Sequence, residues 1–262
     1  MGQHNDVRGS AAASALERLF PGGSEMAGRV RAFDWSKTPL GPAESWSPAL
    51  RTVVRLMLAN RLPMLLWWGP QYISIYNDPY RPVLGNKHPW GLGLPVSECW
   101  QEIWHVLKPL IDTPFQGGPA TWDEDISLVI NRYGFNEETH WLIAYSPVPD
   151  ESVPGGIGGV LATVHETTEM VLSERRMTVL RDLGSRPAEA NTAEAACVVA
   201  VNALEAHGRD IPFALLYLTD AGGKQARLAA ATGVAQGQAI SPERIDLGGG
   251  ARNGIRHRRG AL

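Results

Sequence analysis

The chain has 262 residues, 44% of them hydrophobic and 19% charged, with a formal net charge of -3. This fits one or two folded domains and gives no reason to expect nucleic acid or an anionic membrane as partner. The two cysteines, Cys99 and Cys197, stand far apart with no CxxC or histidine spacing around them, which argues against a disulfide scaffold or zinc site and fits a reducing cytoplasm.

Met1 to Ser14 is small and polar and lacks the cationic start and apolar run of a signal peptide. The longest apolar stretches, Leu62–Trp68 and Ala195–Val201, are too short to span a bilayer. All nine tryptophans fall between Trp35 and Trp141, so an aromatic-rich domain ends near residue 168 and something different follows. Residues 1–32 read as a disordered or short-helical lead-in, with a helix over Ala11–Phe20 closed by Pro21-Gly22-Gly23. A turn-rich arm follows. Ser47 caps and Pro48 opens a helix carrying Leu50, Val53, Val54, Met57 and Leu58 on one face.

Pro63–Trp68 and Tyr72–Tyr76 are two strands joined at Gly69-Pro70-Gln71 as a hairpin. From Tyr80 to Gly118 prolines and glycines break the helical pattern, until Trp100, Ile103, Trp104, Leu107, Leu110 and Ile111 form the stripe of a longer helix. Three more strands are expected at Ala120–Ile130, Thr139–Pro147 and Gly156–His165. A charged helix over Thr168–Arg186 has seven-residue spacings, Leu172–Val179 and Arg176–Leu183, that hint at a short coiled coil ended by Pro187. Asn191 with Glu194 resembles a capping box opening a helix to His207. Phe213–Leu218 and Ala226–Ala231 form a hairpin, and 248–262 is a basic tail without apolar period.

This order of elements is the PAS order, and particular residues agree with it. Tyr76-Asn77-Asp78-Pro79-Tyr80 through Leu84-Gly85 resembles the PAS segment after the second strand. Gly93-Leu94-Pro95-Val96-Ser97-Glu98-Cys99-Trp100 resembles its helical section, and Val164-His165-Glu166-Thr167-Thr168-Glu169 resembles the exit of its last strand. With Phe33–Pro42 and Trp46, the chain is similar to the sensor region of bacterial PAS/GAF multidomain histidine kinases, and Ile211–Leu218 resembles the first core strand of a GAF domain. The resemblance implies an α+β fold: a PAS-like five-stranded antiparallel sheet with flanking helices over 33–168, a connector helix over 169–190, and a partial GAF-like segment over 191–247. It also implies a cytoplasmic two-component signal-input protein, dimeric through the PAS flank and connector helix, with an unknown small-molecule ligand as a further partner. The chain stops where a GAF domain has only begun, so a truncated kinase reading frame is expected, with no catalysis by this chain itself.

Other motifs favour plain roles. His165-Glu166 lacks the Arg and Pro that follow a histidine-kinase phosphoacceptor, and it is not HExxH. Asp246-Leu247-Gly248-Gly249-Gly250 matches an ATP-lid pattern without the other nucleotide boxes, and Gly223-Lys224-Gln225 lacks P-loop spacing. No cofactor is expected. A haem would need an axial histidine, for which His105 is the candidate, and a photoactive flavin would need an Asn-Cys-Arg setting that Cys99 lacks. The candidate pocket residues are Trp68, Ile75, Tyr80, Trp100, Trp104, Trp122 and Trp141, with Trp67 as further aromatic filling. Glu166 and Thr167 are the candidate signal-coupling residues, with Thr167 or Thr168 capping the exit helix.

Overall fold

A computed structural model describes residues 16–185 and 190–248 of the protein. It divides into two compact units, the first ending at Val171 and the second beginning at Leu172. The beginning of the lead-in, Pro187 and the tail at 249–262 lie outside the described residues.

The first unit begins with helix α1 (Glu25–Ala32), where the Ser24 side chain accepts the Ala27 N–H and the Asp78 carboxylate accepts that of Met26 at 3.3 Å. Phe20, Met26 and Val30 are fully buried, so the described part of the expected lead-in is built into the core. Helix α2 (Pro48–Ala59) starts as its cap predicts, with Ser47 Oγ accepting the Leu50 N–H. Strands β1 (Met64–Trp68) and β2 (Ile73–Tyr76) form the hairpin. Its turn places Tyr72 at φ 52°, a left-handed conformation that non-glycine residues rarely adopt.

Short helices α3 (Arg81–Leu84) and α4 (Val96–Cys99) precede α5 (Trp104–Phe115). Trp100 and Ile103, expected on the longer helix, lie before it, because the backbone leaves helical geometry at Trp100 (φ -121°, ψ 46°). Strands β3 (Thr121–Ile130), β4 (Glu137–Pro149) and β5 (Ile157–Glu166) complete an antiparallel sheet in the order β2-β1-β5-β4-β3. This is the five-stranded sheet with flanking helices that the sequence implies. Helix α2 packs against β1 and β2 on one face of the sheet, and α5 packs against β3, β4 and β5.

Helix α6 (Thr168–Ser185) runs from the end of β5 across the boundary between units. In the second unit, helix α7 (Ala193–Glu205) packs on a three-stranded sheet of β6 (Ala214–Thr219), β7 (Gln225–Thr232) and β8 (Arg244–Asp246). Its cap is Thr192, whose hydroxyl accepts the Ala195 N–H at 3.1 Å, and not Asn191. Glu194 does not close a capping box; it pairs with Arg227 of β7 at 2.9 Å. Asp246 ends a strand that the sequence reading missed, and Gly249 and Gly250 of its motif lie outside the described residues.

Candidate functional site

The first unit encloses an aromatic cavity of about 30 Å³, walled chiefly by Trp67, Tyr80, Trp100, Trp141 and Tyr145. Space on that scale takes one or two water molecules. Trp67 and Tyr145 stack with centroids 5.7 Å apart. Among the described residues, no charged side chain lines the cavity. Burial pushes the Tyr80 hydroxyl well above the ordinary tyrosine value, so it stays protonated. The Trp67 indole N–H is buried with no hydrogen-bond partner, an arrangement that costs about 1–3 kcal/mol.

Of the residues expected to line the pocket, Tyr80, Trp100 and Trp141 meet there. Trp68, Ile75 and Trp122 do not line it, for one reason. Strand side chains alternate between faces, and register puts these three on the opposite face from Trp67 and Tyr145: Ile75 pairs with Leu66, Trp122 with Ala144, and Trp68 with Gly159. There Trp68 and Ile75 are buried, whereas Trp122 is 62% exposed. Trp104 packs instead beside Tyr72, 6.1 Å between centroids, in a surface cleft.

A polar cluster connects the cavity wall to α6. Lys87 Nζ lies 4.0 Å over the Trp100 ring and donates to Glu102 Oε1 at 2.6 Å. Glu102 Oε1 also accepts the Asn131 N–H in the β3–β4 turn at 3.1 Å. The neighbouring Arg132 carbonyl accepts the Asn86 N–H at 2.7 Å. Gly85 permits that approach: it has φ 55°, and a Cβ there would sit 2.6 Å from the Arg132 oxygen.

The Arg132 guanidinium grips both oxygens of Glu166 at 2.8 Å, contacts Glu137 at 3.1 Å, and lies 5.9 Å over Trp141. Such a two-pronged pair holds direction as well as charge. Burial opposes ionisation of Glu166, but the Arg132 bonds outweigh it and hold the carboxyl below its usual range. Thr168 Oγ1 donates to Glu166 Oε1 at 3.0 Å and accepts the His140 N–H at 2.9 Å. Thr167 joins through its backbone, its N–H donating to the His140 carbonyl at 2.8 Å, while its hydroxyl is buried without a partner. Neither threonine caps α6 through its side chain, as had been expected. Arg132 and His140 escaped the sequence reading because nothing local marks an arginine in a turn or a histidine in a strand.

The two residues weighed from sequence for cofactor roles both lie away from the cavity. His105, the candidate haem ligand, is exposed on α5 and does not line it. Cys99 also lies outside the cavity wall, and burial pushes its thiol up to about 12, which removes the reactive thiolate. Among the described residues no group of histidine, cysteine and carboxylate side chains could hold a metal ion.

Solved PAS and LOV structures resemble this chain. The Rhodobacter sphaeroides LOV protein is similar at 14% identity and a TM-score of 0.38, over 52% of this chain and 76% of that one. The PAS domain of Bordetella pertussis BvgS is similar at 15% identity and 0.33, over 50% of this chain and 96% of that one. A PAS domain from Colwellia psychrerythraea is similar at 11% identity and 0.35, over 46% and 98%. No family model and no curated protein matches. At these scores the likeness adds nothing to the functional reading, which rests on the geometry above. Among the described residues no helix is long and apolar enough to cross a membrane.

Proposed function

We propose that the chain is a sensory input module of a two-component signalling protein: a PAS-like domain that passes its state to helix α6, followed by part of a GAF-like unit. The observation that carries this reading is the Arg132–Glu166–Thr168 cluster, which ties the cavity wall at Trp141 to the first residue of α6. Repacking of Trp141 or Trp100 moves Arg132 or the Lys87–Glu102 pair, and either movement changes how the start of α6 is held. The ligand or partner need only favour one of two such settings. Replacing Arg132 with Met severs the link without removing bulk. Hydrogen exchange at the Thr167 and Val171 amides should then speed up about tenfold or more, with the β1–β2 amides unchanged. Equal protection in both proteins would sink this reading.

Helix α6 also suits self-association. Met170, Met177 and Leu180, seven and ten residues apart, are 58–67% exposed along it, the spacing of a coiled-coil seam. Of the residues in the spacings read in the sequence, Leu172–Val179 and Arg176–Leu183, Val179 is buried, so the exposed stripe supports a seam one step round the helix. We expect a dimer by sedimentation equilibrium and no phosphorylation of the chain by labelled ATP. His165 is exposed at the end of a strand, not on a helix, and label appearing on it would instead favour the N-terminal part of an active kinase. A small-molecule-binding module is the second reading, favoured by the unpartnered Trp67 N–H. The ligand would be neutral, small and hydrogen-bond accepting, as an uncharged wall requires.

A further inference from the structure

His140 lies in β4, and its side chain is only 7% exposed. Its Nδ1 is 2.8 Å from Asp125 Oδ1 of β3, and its Nε2 is 3.0 Å from Glu138 Oε1 of its own strand. An ionised carboxylate only accepts, and a neutral imidazole has a single N–H. Both contacts are hydrogen bonds only when the ring is an imidazolium. The same residue holds the start of α6 with its backbone, its carbonyl accepting from Thr167 and its N–H donating to Thr168.

Among the described residues, the ring's hydrogen-bond partners are these two carboxylates. Ser127 stands opposite on β3. Thr167 and Thr168 meet His140 from beyond β5, and the charges behind them, Glu166 and Arg132, satisfy each other. His165 is exposed on β5, in register with the neighbouring Leu142.

We propose that His140 is a proton-operated latch on helix α6. Doubly protonated, it ties β3 to β4 beside the first turn of the helix. On losing a proton it keeps one carboxylate and releases the other, and the hold on Thr167 and Thr168 loosens. This goes beyond the sensory reading, since it needs neither a cavity ligand nor a downstream partner. Burial works against the charged ring, but the bonds from Glu138 and Asp125 prevail and hold it above the ordinary histidine value, so the latch opens as pH rises through that higher value.

The test is a pH titration of the full chain by NMR, following the His140 ring together with amide exchange at Thr167. Exchange is corrected for its intrinsic base catalysis. The ring should titrate above the ordinary histidine value, and Thr167 exchange should rise by about threefold or more across the same step. A ring titrating at or below that value, or Thr167 protection flat through the ring's titration, overturns the latch. Asp125→Asn should lower the ring's midpoint, and His140→Gln should flatten the pH dependence at Thr167. Persistence of that dependence in a folded His140→Gln protein also overturns it. The wild-type titration decides the matter if a variant fails to fold.

Discussion

Asn77 shows how much one side chain can organise. It is fully buried, accepts the Met64 N–H at 3.0 Å, and donates to the carbonyls of Met57, Asn60 and Leu62 at 3.1, 3.4 and 2.8 Å. One amide thus closes the end of α2 onto the start of β1. Its motif pointed to a PAS segment, but its partners, up to twenty residues away, were not legible. Replacing it with Ala strands several buried backbone groups at once. We predict a loss of about 2–4 kcal/mol with no change in denaturant slope, measured by urea unfolding. Arg132 is the harder case. The residue and its partner Glu166 are 34 apart in sequence, and no spacing rule connects a turn to the far end of the second strand after it.

At the level of elements, helix starts and strand positions were readable because they rest on local chemistry: Ser47 before Pro48, two apolar runs around Gly69-Pro70-Gln71, and alternation broken by turn residues. Which face of each strand meets the cavity was not readable where both faces are apolar. Met64–Trp68 is buried along its whole length, so alternation offers no choice between Trp67 and Trp68, and register against β5 decides it. The consequence is measurable by thermal or chemical unfolding. Trp141→Ala should cost about 3–5 kcal/mol as a buried ring leaves a void. Trp122→Ala, on the exposed face, should stay within about 0.5 kcal/mol. Similar losses for both would refute the register. The missed β8 is a three-residue strand visible only through its pairing with β7.

For the whole molecule, charge and burial set a pH window. Burial opposes ionisation of Glu102, Asp150 and Glu166, yet hydrogen bonds from Lys87, from Ser152 and Ser47, and from Arg132 hold all three below their usual range. Their contribution is complete above the unfolded carboxylate values of about 4 and fades as pH falls through the lower folded values. His140 works with the opposite sign: its contribution is complete below about 6.5 and fades as pH rises through its higher folded value. We therefore predict a maximum in melting temperature at about pH 5–7, with a steep fall on the acid side and a shallow one on the alkaline side. Melting that improves steadily from pH 5 to pH 9 would contradict the His140 assignment. By itself, the sequence determined the positions along the chain of the first five strands, the change of character after residue 168 and the aromatic make-up of the core, and through its PAS resemblance it implied the α+β class. The positions and the aromatic core follow from composition, period and caps, which act over a few residues. Only the tertiary structure decided which tryptophans face the cavity, that Arg132 joins Glu166, and that His140 sits between two carboxylates beside α6. Those contacts link segments far apart in the chain, and strand order and register, set by the packing of the whole sheet, choose among them.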